Sequence, residues 1–153
     1  MDSQLEFVIL ILAQSFYDQL EALRLSLNAD FAMVSSIVGN VYTIMAVTSE
    51  LELASVKAGK VFRCEDSYCD QVLKGQKMVI HTHINRITNR VLHPVYTAMQ
   101  LESYIGEPLW KGGNVVGTLN FSGFMHKKEG YLAESIEQVK SLARAIETEL
   151  RSQ

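Results

Sequence analysis

Residues 101–123 read L-E-S-Y-I-G-E-P-L-W-K-G-G-N-V-V-G-T-L-N-F-S-G, and this stretch decides the fold. Two β-forming runs, Tyr104–Trp110 and Asn114–Phe121, flank Lys111-Gly112-Gly113. Glycines reach the positive φ that a tight turn needs, so the stretch predicts an antiparallel hairpin. In the second run Val115, Gly117, Leu119 and Phe121 alternate with Val116, Thr118 and Asn120. That is the period of a strand with two distinct faces. Pro108 donates nothing to a ladder, which predicts an edge or a bulge at its position.

Working outward, Phe31–Val38 and Val41–Val47 predict another hairpin across Gly39-Asn40. Residues 1–28 and 130–153 predict the two long helices. The first carries Leu5, Ile9, Leu12, Phe16, Leu20, Leu23 and Leu27 on one stripe. Val8, Leu10 and Ile11 widen that stripe, so this helix is expected to pack on its own sheet and on a partner helix. The second carries Leu132, Ile136, Val139, Leu142, Ala143, Ile146 and Leu150, with Glu147 and Arg151 placed as an i,i+4 pair.

The middle of the chain is mixed. Residues 49–63 carry no single pattern. Asp66–Leu73 predicts a short helix with Asp66 or Ser67 as its N-cap and Gly75 just past its end. Lys77–His83 predicts a strand, 84–93 a loop, and Pro94–Gln100 a short helix. The sum is an α+β domain with a central antiparallel sheet. The terminal helices cover one face, and the segment 64–100 lies over the other, where a cavity can form.

Composition fits a soluble domain: 48% of the 153 residues are hydrophobic and 20% charged. The net charge is −3 and no basic stripe exists, which argues against nucleic acid as a partner. The apolar run Phe7–Ala13 is far shorter than the roughly 20 residues a membrane helix needs, so no membrane partner is expected. Two cysteines make no disulfide framework, and no basic n-region precedes the apolar run. A reducing, cytoplasmic setting is therefore expected.

Four runs carry a family resemblance: F-R-C-E-D-S-Y-C (62–69), H-P-V-Y (93–96), L-E-S-Y-I-G-E-P-L (101–109) and G-G-N-V-V-G-T-L-N-F-S (112–122). They resemble GAF domains, in particular those of bacterial sensor histidine kinases and diguanylate cyclases. The resemblance implies one PAS-related GAF domain over residues 1–153. It also implies a sensor of a small molecule, a homodimer built through the terminal helices, and a downstream output domain or signalling partner. A PAS-like sensor is the neighbouring alternative, and the long terminal helices with Y-I-G-E-P-L favour GAF. Cyclic-nucleotide-binding members carry an N-K-x-F-D-E type motif, which has no match here. Bilin-binding members attach chromophore through a Cys usually followed by His, whereas Cys69 is followed by Asp70. The free methionine-sulfoxide reductases of this fold use three cysteines, and this chain has two. No cofactor is named by these comparisons.

The candidate ligand-binding residues are Tyr68, Cys69, His81, His83, His93, Tyr96 and Tyr104. The tyrosines join an apolar ring to a hydroxyl, which suits recognition of a small molecule. His81 and His83, two apart, share a face if both lie on a strand. Arg86 and Arg90 sit in the loop as a possible anion clamp or a solvated segment. Cys64 and Cys69 read either as a thiol redox pair or as small packing residues. A Cys/His metal site matches no recognised spacing, so no metal ligands are assigned. The signatures of hydrolases, NTPases, zincins and dinucleotide enzymes are absent, and Cys69 with His81 or His93 is a pairing that could in principle supply a nucleophile and base. A non-catalytic sensor is expected, with a ligand-free dimerisation module or a redox switch as alternatives.

Overall fold

The chain forms α1 (Ser3–Ser26), β1 (Phe31–Val38), β2 (Val41–Thr48), β3 (Val61–Arg63), a 3-10 turn (Cys64–Asp66), α2 (Cys69–Gly75), β4 (Val79–His81), β5 (Ser103–Lys111), β6 (Asn114–Gly123) and α3 (Ala133–Arg151). The structure is a computed structural model and describes residues 3–53, 56–84 and 101–152. The expected helix Pro94–Gln100 and nearly all of the 84–93 loop lie outside the described residues.

The six strands form one antiparallel sheet in the order β3-β2-β1-β6-β5-β4. Both expected hairpins are present. Gly39 (φ +61°) turns the first, and Gly112 and Gly113 (φ +60° and +81°) turn the second. Pro108 sits where the chain tolerates it. Strand β4 pairs only with Tyr104, Ile105 and Gly106, so Pro108 lies beyond its reach, and the register shifts between Leu109 and Trp110. The three-residue β4 corrects the expected strand Lys77–His83: pairing stops at His81, opposite Tyr104. Strand β3 arises in the region that carried no pattern.

Alternation along β5 and β6 sends Ile105, Leu109, Leu119 and Phe121 to one face. There they meet Leu12, Phe16, Leu20 and Leu23 of α1 and Val139, Leu142, Ala143 and Ile146 of α3. The terminal helices therefore share one face of the sheet and pack on each other. Helix α1 closes with Asn28 in the left-handed region (φ +52°). Lys127 Nζ donates to the carbonyls of Leu27 and Asn28 there, at 2.9 and 3.0 Å. A cation at these terminal carbonyls also complements the helix dipole.

Three local expectations change. Leu132 precedes α3 and is 73% exposed, so it leaves the apolar stripe. Gly75 is the last residue of α2, and Gln76 takes the left-handed position (φ 53°) instead. Helix α2 begins at Cys69 rather than Asp66, with Tyr68 in the N-cap position; Ser67 Oγ accepts the Cys69 N–H at 3.3 Å from one residue before it, while Asp66 turns to Arg63.

Glu147 does not pair with Arg151. Arg144 Nε lies 2.9 Å from Glu147 Oε1, and Arg144 Nη2 lies 3.1 Å from Glu107 Oε2 and donates to the Pro108 carbonyl at 2.9 Å. Glu147 Oε2 accepts the Trp110 N–H at 2.8 Å. The reason is geometric. With β4 beginning only at Val79, opposite Gly106, the Pro108 carbonyl and the Trp110 N–H meet no strand on that side among the described residues, and a buried backbone group needs a partner. The ion pair of α3 supplies both.

The tightest packing lies between β6 and β1. A Cβ on Gly117 would sit 1.9 Å from the Ser35 carbonyl oxygen, whereas a Cβ on Gly112 meets nothing within 4 Å. Gly117→Ala is expected to cost about 3 kcal/mol or more, since backbone must move. Gly112→Ala is expected to cost about 1 kcal/mol from its left-handed φ alone. Thermal unfolding of both variants checks this; equal losses would mean that β6 has room at Gly117.

Burial raises the Glu107 carboxyl above its usual value of 4.5, opposed by Arg144 and Lys140 and reinforced by Glu147. The folded state then binds this proton more tightly than the unfolded state. Wild type should accordingly gain stability relative to Glu107→Gln as pH falls from 7 toward 4.5. Thermal melts of the pair across that window test the sign. A wild type that loses ground on acidification would show that Arg144 outweighs burial.

Candidate functional site

The other face of the sheet is covered by the segment from Cys64 onward, and its chemistry differs. Strand β6 sends Thr118, Asn120 and Ser122 there, and β1 sends Phe31, Met33 and Ser35 opposite them. Apolar residues surround this row: Ile37, Ile44, Val56, Val72, Ile84 and Leu101 form a second core with Tyr42, Tyr68, Tyr104 and both cysteines. Ser35, Thr118 and Asn120 are nonetheless buried, at 2%, 0% and 0% exposure. A buried polar group is costly unless satisfied, so these residues must answer one another.

They largely do. Ser35 Oγ and Thr118 Oγ1 lie 2.8 Å apart, and the Thr118 N–H donates to Ser35 Oγ at 3.1 Å. Asn120 Nδ2 donates to Thr118 Oγ1 at 3.0 Å. Cys69, at the first turn of α2, places its Sγ 3.3 Å from Thr118 Oγ1, 3.3 Å from the Tyr104 hydroxyl and 3.6 Å from Asn120 Nδ2. One acceptor is left over: Asn120 Oδ1 is buried and has no hydrogen-bond partner among the described residues. An orphaned acceptor costs about 1–3 kcal/mol.

Gly106 makes room for this cluster. A Cβ there would meet the Tyr104 hydroxyl at 2.2 Å, so the Tyr104 ring lies along the strand over Gly106 and its hydroxyl reaches Cys69. The Tyr68 ring stands 4.7 Å from the His81 ring and 5.7 Å from the Tyr104 ring. His81 Nε2 is 2.8 Å from Gln71 Oε1 of α2. Four of the seven candidate ligand residues, Tyr68, Cys69, His81 and Tyr104, thus come together at one end of the polar row.

His83 does not join them. With β4 finished at His81, the chain turns away, and the His83 ring stacks on His126 at 4.4 Å. His93, Tyr96, Arg86 and Arg90 lie outside the described residues. Ser35, Thr118, Asn120, Tyr42 and Gln71 were not among the candidates. The signal for Thr118 and Asn120 was the alternation in β6. Polar residues on a strand face read as solvated unless the chain that covers them is known.

Both thiols are buried and free. Burial pushes the Cys64 thiol up to about 12, with Cys69 and Asp70 adding to the effect. Burial also raises Cys69, against hydrogen bonds from Thr118, Tyr104 and Ser67. Burial holds the Tyr42 hydroxyl, which donates to Met33 Sδ at 3.7 Å, well above its usual value. Among the described residues no histidine is hydrogen-bonded to Cys69, and no group of three or more His, Cys, Asp or Glu side chains is placed to hold a metal. The nucleophile and base pairing of Cys69 with His81 is therefore not formed: His81 turns its Nε2 to Gln71.

A six-stranded antiparallel sheet with terminal helices on one face and a buried polar row on the other defines the class, an α+β domain with its sheet covered on both faces. The GAF domain family matches residues 12–150, nearly the whole chain, and the chain belongs to that family. No curated protein matches it. Similar solved structures include a type II free methionine-R-sulfoxide reductase from Thermoplasma acidophilum (TM-score 0.70, 11% identity, 92% of this chain and 93% of that one). A red/green cyanobacteriochrome in its red light-absorbing state matches with TM-score 0.72 and 11% identity, over 93% and 95% of the two chains. The GAF domain of a two-component sensor histidine kinase from Bacillus halodurans matches with TM-score 0.63 and 15% identity, over 91% and 99%. At these identities the likeness is one of fold, and the fold serves sensors and a reductase alike. Among the described residues no helix is long and apolar enough to cross a membrane.

Both thiols should react with a thiol reagent at pH 8 at least about a hundredfold more slowly in the folded protein than in denaturant, because reaction needs both opening and ionisation. Timed labelling read by mass measures this. A cysteine labelled at the denatured rate would contradict its burial.

Proposed function

We propose that this GAF domain is a sensory, regulatory module and not an enzyme. It binds a small molecule over the second face of the sheet and acts as a homodimer through α1 and α3. The observation that carries the ligand reading is the buried polar row Ser35–Thr118–Asn120, with Asn120 Oδ1 left without a donor among the described residues. A ligand bearing an N–H or O–H group would satisfy that acceptor. Tyr68, Cys69, His81 and Tyr104 border the same row, and His93, Tyr96 and His83 belong to the segment that follows. The ligand is a diffusible molecule or an unnamed cofactor of that chemistry.

The chemistry at Cys69 supports a non-catalytic role. Its sulfur faces hydroxyls and an amide, and burial favours the thiol form. The same burial sets a redox switch through Cys64 and Cys69 behind the ligand reading. The dimer is supported by the open groove between α1 and α3, where Ala22, Ser26 and Ser141 leave room beside Leu23, Leu142, Gln19 and Gln138 for a second copy to approach.

The mechanism is a population shift. A ligand that binds one packing of the terminal helices better than the other biases that packing, and an output domain or partner protein reads it. The setting is a bacterial signalling protein in the cytoplasm. Native mass spectrometry against the denatured mass tests the reading. A dimer carrying the extra mass of a small molecule is expected. A dimer without extra mass would favour a purely structural dimerisation module, and a monomer would remove the helix-mediated dimer.

A further inference from the structure

We propose that Arg144 couples the seating of the C-terminal helix to the polar row on the opposite face of the sheet. Its use in signalling rests on the ligand site proposed above, but the coupling itself involves only this chain's own residues.

The argument starts at one pair of residues. Pro108 of β5 and Thr118 of β6 are direct cross-strand partners. On the helix face, Arg144 holds the Pro108 carbonyl at 2.9 Å and Glu107 Oε2 at 3.1 Å, while Glu147 holds the Trp110 N–H at 2.8 Å. On the other face, Thr118 Oγ1 is the hub that meets Ser35, Asn120 and Cys69. A sheet is one backbone thick, so a shift of β5 at Pro108 is a shift of its neighbour at Thr118. No core side chain needs to relay it.

Two features make this spot responsive. Strand β4 begins only at Val79, the partner of Gly106, so the Pro108–Trp110 stretch has the α3 ion pair on that side where a strand starting earlier would pair with it. The ladder register also shifts between Leu109 and Trp110, which locally disrupts the pairing of the strand. Glu107 and Glu147 are buried at 5% and 4% exposure, so both lose their counter-charge if Arg144 leaves, and Glu147 keeps the Trp110 N–H. The guanidinium fork is specific to arginine: a lysine offers a point charge and cannot span both carboxylates and the carbonyl.

Because coupling is reciprocal, each face must report on the other. Cys69 is a built-in reporter of the polar row, and it is read in a Cys64→Ala protein, where it is the one thiol. Arg144→Gln is expected to raise the alkylation rate of Cys69 by about tenfold or more beyond what its change in global stability explains. Ile146→Val, a core change on the same helix, should raise it only in step with stability, and Arg151→Gln should leave it unchanged. In the reverse direction, Thr118→Val should speed hydrogen exchange of α3 around residues 144–151. Should Arg144→Gln fail to fold, Arg144→Lys in the same assay decides. Labelling that follows global stability in the Arg144 variant as it does in Ile146→Val, or α3 exchange unmoved by Thr118→Val, overturns the coupling. No ligand enters the experiment, so an empty site in native mass spectrometry would leave this result standing, and failed coupling would leave the ligand reading intact.

Discussion

The close approach of β6 to β1 at Gly117 and Ser35 is the contact on which the rest of the molecule depends. With no side chain at Gly117, the Ser35 carbonyl lies where a Cβ would otherwise stand. The two central strands are thereby drawn together at the point where Ser35 and Thr118 exchange hydrogen bonds. That spacing sets the polar row, and the polar row sets what can cover it. Cys69 fits over Thr118 because its sulfur is small and weakly polar, able to lie against hydroxyls without demanding ionisation. A larger apolar residue would strand the hydroxyls, and a charged one would be buried without a counterion.

The sheet is therefore buried on both sides for different reasons. On the helix side burial is the ordinary hydrophobic kind, with leucine, valine and phenylalanine meeting two amphipathic helices. On the other side apolar residues surround a stripe that hydrophobicity alone would not select. Holding buried hydroxyls and an amide with one acceptor unanswered is a standing cost to stability. That cost is the ground on which the proposed ligand reading rests, and it lies on the second face rather than the helix face.

The framework of this architecture was legible from residue patterns because its signals are local. Gly112-Gly113 and Gly39 name their turns, and the stripes Leu12–Leu27 and Val139–Ile146 name the helices and the face they bury. Family motifs in 101–122 named the fold for the same reason: they are sheet-building residues in a fixed order. What escaped depended on partners distant in sequence. The length of β4 is set by where β5 needs a neighbour, so His83 left the site although its spacing from His81 suited a strand. Glu147 looked like a partner for Arg151 because helical neighbours are visible in sequence, whereas its true partners, Arg144 and the Trp110 N–H, answer a backbone need on β5. Thr118 and Asn120 carried no site signal of their own because the segment that covers them begins some fifty positions earlier, at Cys69.

The short β4 and the buried row around Thr118 meet at one backbone pair. Had β4 begun before Val79, its residues would have reached the Pro108 carbonyl and the Trp110 N–H, and α3 would have had no polar reason to hold Arg144 and Glu147 where they are. The helix would then rest on the sheet through apolar contacts alone, which are non-directional and tolerate sliding. Directional bonds to one strand remove that freedom and tie the helix to a single register of β5. In a domain whose helices and second face lie on opposite sides of one sheet, a strand held in this way is the shortest physical route by which either side senses the other.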